Sequence, residues 1–388
     1  YLYVIKPAII LENMCGIFRF QCVTGKLIPH NWKMKTFGVL PIAINIVVFY
    51  LSMDRLTMTS GAFNYVDVMD EVPSIVTLVQ YVTSALTTTF LLNVPNIRIF
   101  DTLAELDTML HVETFPDFYK NSRSETNIFL IILIITHITN FLLDLLTANE
   151  ITMFQFCVIP LYYFQKLEIL IFCKLIAMLK TRLAIINIYL STFIEKGGKP
   201  ITLFTFVREK KSGPVKRFNF IGRASPDNLK IRDLATMYDT IGKICFMVNQ
   251  VFNFQIFMTL VSTFTFIVIT IWTSLYYYRT PENNSGHLVN IAIWCFSIVH
   301  TVAIMSIACE RFLLVRNTTK VLVNKVIMDY DLPKSMRVQA KAFMELVEAW
   351  PLRFYVYDMF SIDITLMLKF ISVATTYLIV IIQISHFI

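Results

Sequence analysis

Seven runs of mainly apolar residues, at about 37–55, 73–95, 127–148, 152–180, 249–276, 288–313 and 364–386, alternate with polar or basic stretches. Each is long enough for a helix to cross the roughly 30 Å of a bilayer's hydrocarbon, which takes about 20 residues. Their Ile, Leu, Phe and Val do not alternate with polar residues at period two, so a membrane barrel is not expected. The pattern predicts an all-α membrane protein with seven transmembrane helices.

The helical period continues beyond several of these runs. Apolar positions recur through Ala184-Ile185-Ile186-Ile188-Tyr189-Leu190 and Leu229-Ile231-Leu234-Met237-Ile241. They recur again in Val321-Val323-Val326-Ile327 and in Met336-Ala340-Phe343-Met344-Val347, at spacings that share a helix face. Pro333 and Ser335 mark one helix's stop and the next one's start. Segment 196–228, with its GGKP, SGP and ASPD stretches, reads as a flexible loop. Six units follow: a cytoplasmic segment 1–36; spans 1–4 in 37–180; helical extensions and a loop in 181–248; spans 5–6 in 249–313; cytoplasmic assembly helices in 314–363; and a seventh span in 364–388. The apolar stripes of the extensions must be buried inside one subunit or between subunits. The pattern leaves both open.

Composition agrees with membrane residence. Apolar residues make up 56% of the chain and charged ones only 16%, against about 45–50% and 25% in soluble domains. The net charge of +7 would suggest nucleic acid if it lay on one wet patch, but the basic residues cluster between apolar runs. Lys6, Arg19, Lys26, Lys33 and Lys35 precede span 1, 13 Lys and Arg lie from Lys180 to Lys243, and eight from Arg311 to Arg353. Loops 55–72 and 277–287 hold one basic residue each. The positive-inside rule therefore puts the N-terminus in the cytoplasm and the C-terminus outside. Asn283 of the sequon Asn283-Asn284-Ser285 then falls outside, as glycosylation requires, and Asn317-Thr318-Thr319 falls inside as a chance match. Tyr1–Leu11 is too short and mixed for the apolar core of a secretory leader, and a chain opening on Tyr is expected to be trimmed.

The seven cysteines form no CxxC pair and read as buried thiols. His137, His300 and His386 stand alone, no metal-spaced cluster or phosphate-binding Gly-rich loop is present, and neither an enzyme nor a cofactor is expected.

Span 7 is too polar to face lipid alone. Ser372, Thr376, Ile379 and Gln383 fall at spacings of 4, 3 and 4 on one helical stripe. A buried amide without partners costs several kcal/mol in hydrocarbon. Gln383 therefore needs either an interhelical hydrogen bond or a ring of symmetry-related glutamines around a pore.

Thr376-Tyr377, five residues, then Gln383 resembles the TYxxxxxQF motif of insect gustatory receptors, with Ile384 where the family has Phe. Chain length, the seven spans and the inside N-terminus fit the same family. Ala292-Ile293-Trp294-Cys295-Phe296 is similar to a stretch in the family's fructose receptors. The resemblance implies a homotetrameric, ligand-gated, non-selective cation channel in the plasma membrane of a chemosensory cell. Span 7 would line the pore and the cytoplasmic helices would join the subunits. Gln383 and Ile384 would then form the constriction, Ile379 and Val380 would help to close it by dewetting, and Thr376 and Ser372 would wet the path below. Lys369 is expected to point away from that path.

A sugar needs aromatic faces and a few fixed hydrogen-bond partners. Trp294, Tyr162 and Phe164, with Asn290, Ser297, Thr270 and Gln80, are the candidate contacts, in a pocket among spans 2–6. The rival classes are a seven-span receptor coupled to a cytoplasmic partner and a transporter. A G-protein-coupled receptor would have its N-terminus outside, and a transporter should show related halves.

Overall fold

The structure, a computed structural model, describes residues 2–23, 26–59, 65–112, 116–147, 153–195, 229–279 and 285–387. It contains the helices α1 (Leu2–Met14), α2 (Trp32–Thr59), α3 (Tyr65–Leu86), α4 (Asn93–Met109), α5 (Pro116–Thr147), α6 (Met153–Glu195), α7 (Leu229–Arg279), α8 (Ser285–Met328), α9 (Lys334–Ala349) and α10 (Ile364–Phe387). The seven predicted spans lie on α2, α3, α5, α6, α7, α8 and α10. Among the described residues, five stretches are long and apolar enough to cross a bilayer, on α2, α3, α5, α7 and α8, and α10 carries the shorter apolar stretch Ile364–Tyr377. The described part of α6 falls outside that set because Lys166, Glu168 and Lys174 interrupt its apolar run.

Burial explains the arrangement. Helix α6 is buried around its circumference by Leu167, Ile169, Phe172, Leu175, Ile176, Leu179 and Leu183, and packs chiefly on α8. Helices α2 and α5 instead turn Ile44, Val47 and Leu51, and Ile128, Ile131, Ile135 and Ile138, to the surroundings. Lipid accepts such a surface without the penalty water imposes.

Three features go beyond the layout read from the sequence. Segment 96–126, between the second and third apolar runs, is largely helical, in α4 and the start of α5. The second span is interrupted, since Thr87–Leu91 forms one π-helical turn before α4 restarts at Asn93. There, Thr83 and Thr87 bond the carbonyls of Val79 and Thr83 at 2.6 and 2.7 Å, and such hydroxyl back-bonding bends helices. Segment 1–36 is ordered around α1 and a hairpin, β1 (Gln21–Val23) with β2 (Lys26–Ile28). Gly16 turns the chain just after α1 at φ +85°, where a side chain would be strained.

A second hairpin, β3 (Tyr355–Val356) with β4 (Phe360–Ser361), joins α9 to α10. Tyr357 and Asp358 both adopt positive φ at its tip. The strain is held by α7, whose Asn249 and Asn253 accept the N–H groups of Tyr355 and Tyr357 at 3.0 and 2.8 Å. Asp363 caps α10, accepting from the Thr365 N–H at 3.0 Å and the Ser361 hydroxyl at 2.7 Å.

Candidate functional site

Helices α6 and α8 bring three of the proposed contacts together. The Trp294 ring lies 5.3 Å from Tyr162, and Tyr162 lies 6.2 Å from Phe266. Ser297, one turn from Trp294, accepts the Lys166 ammonium at 2.6 Å and the Asn140 amide at 3.3 Å. Phe164 belongs to the same cluster but meets Tyr81, 5.0 Å away. Thr270 is half-buried on α7, four residues past Phe266. The side chain of Asn290 and the sequon at Asn283 lie outside the described residues.

Gln80 sits in a different layer. Its carbonyl accepts the Gln165 amide at 3.0 Å, and its own amide donates to Thr259 at 2.9 Å. Thr77 and Ser262 bond alongside at 3.2 Å. With both ends committed, this glutamine ties α3 to α6 and α7, as polar side chains do inside membrane bundles.

Sequence reasoning passed over Lys166, Asn140 and Gln165 here. A lysine inside an apolar run was the available signal. His137 is also not isolated, because its ring stands 5.3 Å from Tyr163 and 6.4 Å from Trp294.

Helix α10 has two unlike faces. Met367, Phe370, Ala374 and Thr375 line a cavity of about 230 Å³ against α7 and α8, and Tyr377 packs on Phe264 at 5.3 Å. Ser372, Thr376, Ile379, Val380 and Gln383 are all exposed, turned away from the chain's own helices. The hydroxyl of Thr376 is held on the Ser372 carbonyl at 3.0 Å. The side chain of Ile384 lies outside the described residues. Lys369 is exposed seven positions before Thr376, so it shares that face rather than avoiding it.

The extensions bury their stripes within the chain. Met336, Ala340, Phe343 and Val347 of α9 are buried, as are Ile231, Leu234, Met237 and Ile241 of α7. Trp350 clasps the two helices, donating to Asp239 at 2.9 Å while its carbonyl accepts the Tyr238 hydroxyl at 2.9 Å. Burial pushes the Tyr238 phenol up to about 12, so it remains a neutral donor. A Cβ on Gly242 would stand 2.5 Å from the Trp350 ring, which makes glycine a requirement there. Val321, by contrast, is exposed on α8 together with Leu314 and Met328, at heptad spacing.

Two buried arginines fix the frame. Arg19 pairs with Glu12 at 2.7 Å and Glu168 at 2.6 Å, and bonds Asn96 at 3.2 Å. Arg182 grips Asp107 through two bonds, at 2.6 and 2.8 Å, and the Tyr119 hydroxyl donates to the same carboxylate at 2.6 Å. Among the described residues, no three His, Cys, Asp or Glu gather to hold a metal. The sequon residue Thr319 is buried inside α8 and bonded to the Val315 carbonyl, a poor acceptor site for a glycan.

This architecture is found in solved receptors. The fold is similar to that of the insect olfactory receptor OR5 from Machilis hrabei, with a TM-score of 0.66 at 12% identity over 99% of this chain and 100% of that one. The same receptor in complex with eugenol matches at a TM-score of 0.67, again with 12% identity over 99% and 100% of the two chains. No curated protein sequence matches the chain. The sequence profile of the 7tm chemosensory receptors matches residues 14–386. With that match running over nearly the whole chain, it is a member of the 7tm chemosensory receptor family.

Proposed function

We propose that the chain is one subunit of a ligand-gated, non-selective cation channel opened by an extracellular sugar, D-fructose first among them. The observation that carries this reading is the two-faced α10. A helix that turns Ser372, Thr376 and Gln383 away from its own bundle needs water or other copies opposite them. Copies arranged around an axis supply both, with the glutamine amides facing one another above the Thr376 hydroxyls. Residues 364–388 hold no acidic residue, so α10 offers no carboxylate ring to select among cations. Lys369 enters the same path near its cytoplasmic end. The exposed Leu314, Val321 and Met328 give the subunits an apolar seam below the membrane. Four copies are the stoichiometry that the gustatory receptor resemblance implies.

Ligand would enter beside Trp294, Tyr162 and Phe266, with Ser297, Asn290 and Thr270 as hydrogen-bond partners. Eugenol bound to the olfactory receptor from Machilis hrabei is aromatic, and an aromatic tastant is the alternative ligand. The polar partners around Trp294 favour a sugar. Binding displaces the outer end of α7, and the Phe264–Tyr377 contact carries that displacement to α10. The ligand shifts the equilibrium only by its differential affinity for the open state, which four sites multiply.

The test is purified protein in planar bilayers, without any G protein, exposed to a panel of sugars. Sugar-evoked unitary cation currents, abolished by Trp294→Ala in protein that still assembles, are expected. Silence from correctly folded oligomers would return the chain to the class of receptors that signal through a cytoplasmic partner.

A further inference from the structure

Between α5, α6 and α8 lies a groove of about 330 Å³ that meets the proposed sugar site only at Ser297. Its walls are almost wholly apolar, and Phe129, Ile132, Ile135 and Phe296 of the lining are exposed, so the groove opens sideways to the bilayer. Its floor carries Lys166, which is 6% exposed.

That lysine is out of balance with its surroundings. Its ammonium donates to the neutral Ser297 hydroxyl at 2.6 Å and lies 5.7 Å over the Trp294 ring. Among the described residues it forms no ion pair. Glu168, two positions on, is taken by Arg19. A lone cation inside hydrocarbon is costly, and side chains in that position mark ligand or ion sites. Lys166 lies 14 residues from either end of the predicted span 152–180, and so near the middle of the hydrocarbon, about 15 Å from either face. A phospholipid keeps its phosphate at the interface and cannot bring it that deep. A single-chain acid can, with its carboxylate on Lys166 and its alkyl chain along Phe129, Ile135 and Phe296.

We propose that this groove is a binding site for a lipophilic carboxylate of the fatty-acid type, entering from the membrane and neutralising Lys166. The site adjoins the aromatic cluster and shares Ser297 with it, although Trp294 and Tyr162 do not line the groove. It stands whether or not the sugar reading holds.

The experiment measures equilibrium binding of radiolabelled dodecanoate to the full chain in phosphatidylcholine nanodiscs, with dodecanol as the uncharged analogue. Dodecanoate should bind about tenfold to a hundredfold more tightly than dodecanol, the range of a charge-assisted hydrogen bond. Lys166→Gln should bring its affinity down to that of dodecanol, and Ile135→Trp, which fills the groove from the lipid side, should weaken both ligands. Should Lys166→Gln fail to fold, Ile135→Trp and the dodecanol comparison decide the matter. Equal affinity for dodecanoate and dodecanol, or dodecanoate affinity unchanged in Ile135→Trp, would overturn the proposal. Displacement of dodecanoate by phosphatidylglycerol nanodiscs would overturn it too, by assigning the site to a headgroup.

Discussion

Tyr377 stands edge-on to Phe264, their ring centroids 5.3 Å apart and their planes inclined at 76°. Through this contact the motif-bearing helix α10 meets α7. An aromatic pair of this geometry contributes about 0.5–1.5 kcal/mol beyond its buried area. Phe264→Ala should therefore move the half-activating ligand concentration by about twofold to tenfold, with surface expression unchanged. A concentration–response curve that overlays wild type would remove the contact from the gating path.

The clasp at Trp350 makes a prediction about stability. Gly242→Ala puts a methyl group into the indole ring, and overpacking of this kind costs about 1–3 kcal/mol. The variant should melt at lower temperature in detergent, while Val338→Ala, at an exposed position of α9, serves as the control. A melting curve identical to that of wild type would mean that the ring moves aside without cost.

Removing Arg19 leaves the buried carboxylates of Glu12 and Glu168 facing each other. Breaking a buried ion pair from one side costs about 3–5 kcal/mol. Arg19→Met should give little folded protein, and Arg19→Met combined with Glu12→Gln and Glu168→Gln should recover part of it. Recovery is read by fluorescence-detected size exclusion. Equal loss in the single and triple variants would show that the arginine's own packing against Phe252 matters more than its charge.

The cap of α10 is a pH-dependent element. Partial burial raises the Asp363 carboxyl, but hydrogen bonds from Thr365 and Ser361 outweigh it and hold the group below the usual carboxylate range. Because the folded value lies below the unfolded one, the cap's stabilisation is present at neutral pH and is lost as pH falls through that lowered value. Asp363→Ala should cost about 1 kcal/mol near pH 7, typical of a lost N-cap. The gap between variant and wild-type melting temperatures should narrow in acid. A gap independent of pH would assign the loss to backbone freedom instead.

Much of the fold was legible because long apolar runs are a strong signal in a membrane chain. The stripe Ser372–Thr376–Ile379–Gln383 could be read from spacing alone, and it lies on the exposed face of α10. Other features depend on partners distant in sequence. Nothing near Asn249 or Asn253 indicates that they hold a hairpin about 105 residues later, and Gly242 reveals its role only against Trp350. Gln80 fitted a sugar contact by residue type, yet Gln165 and Thr259 take up its amide. Lys166 was in plain view inside span 4, but treating the run as uniformly apolar hid it.

The most direct measurement of the central claim is substituted-cysteine modification on α10 in sugar-responsive membranes. Thr376→Cys on the exposed stripe and Ala374→Cys on the face packed against α7 and α8 are each exposed to a membrane-impermeant thiosulfonate while current is recorded. A water-filled path between copies predicts rapid, irreversible block of Thr376→Cys and little effect on Ala374→Cys. If the current through Thr376→Cys survives the reagent as well as the wild-type current does, that stripe faces lipid and α10 lines no pore.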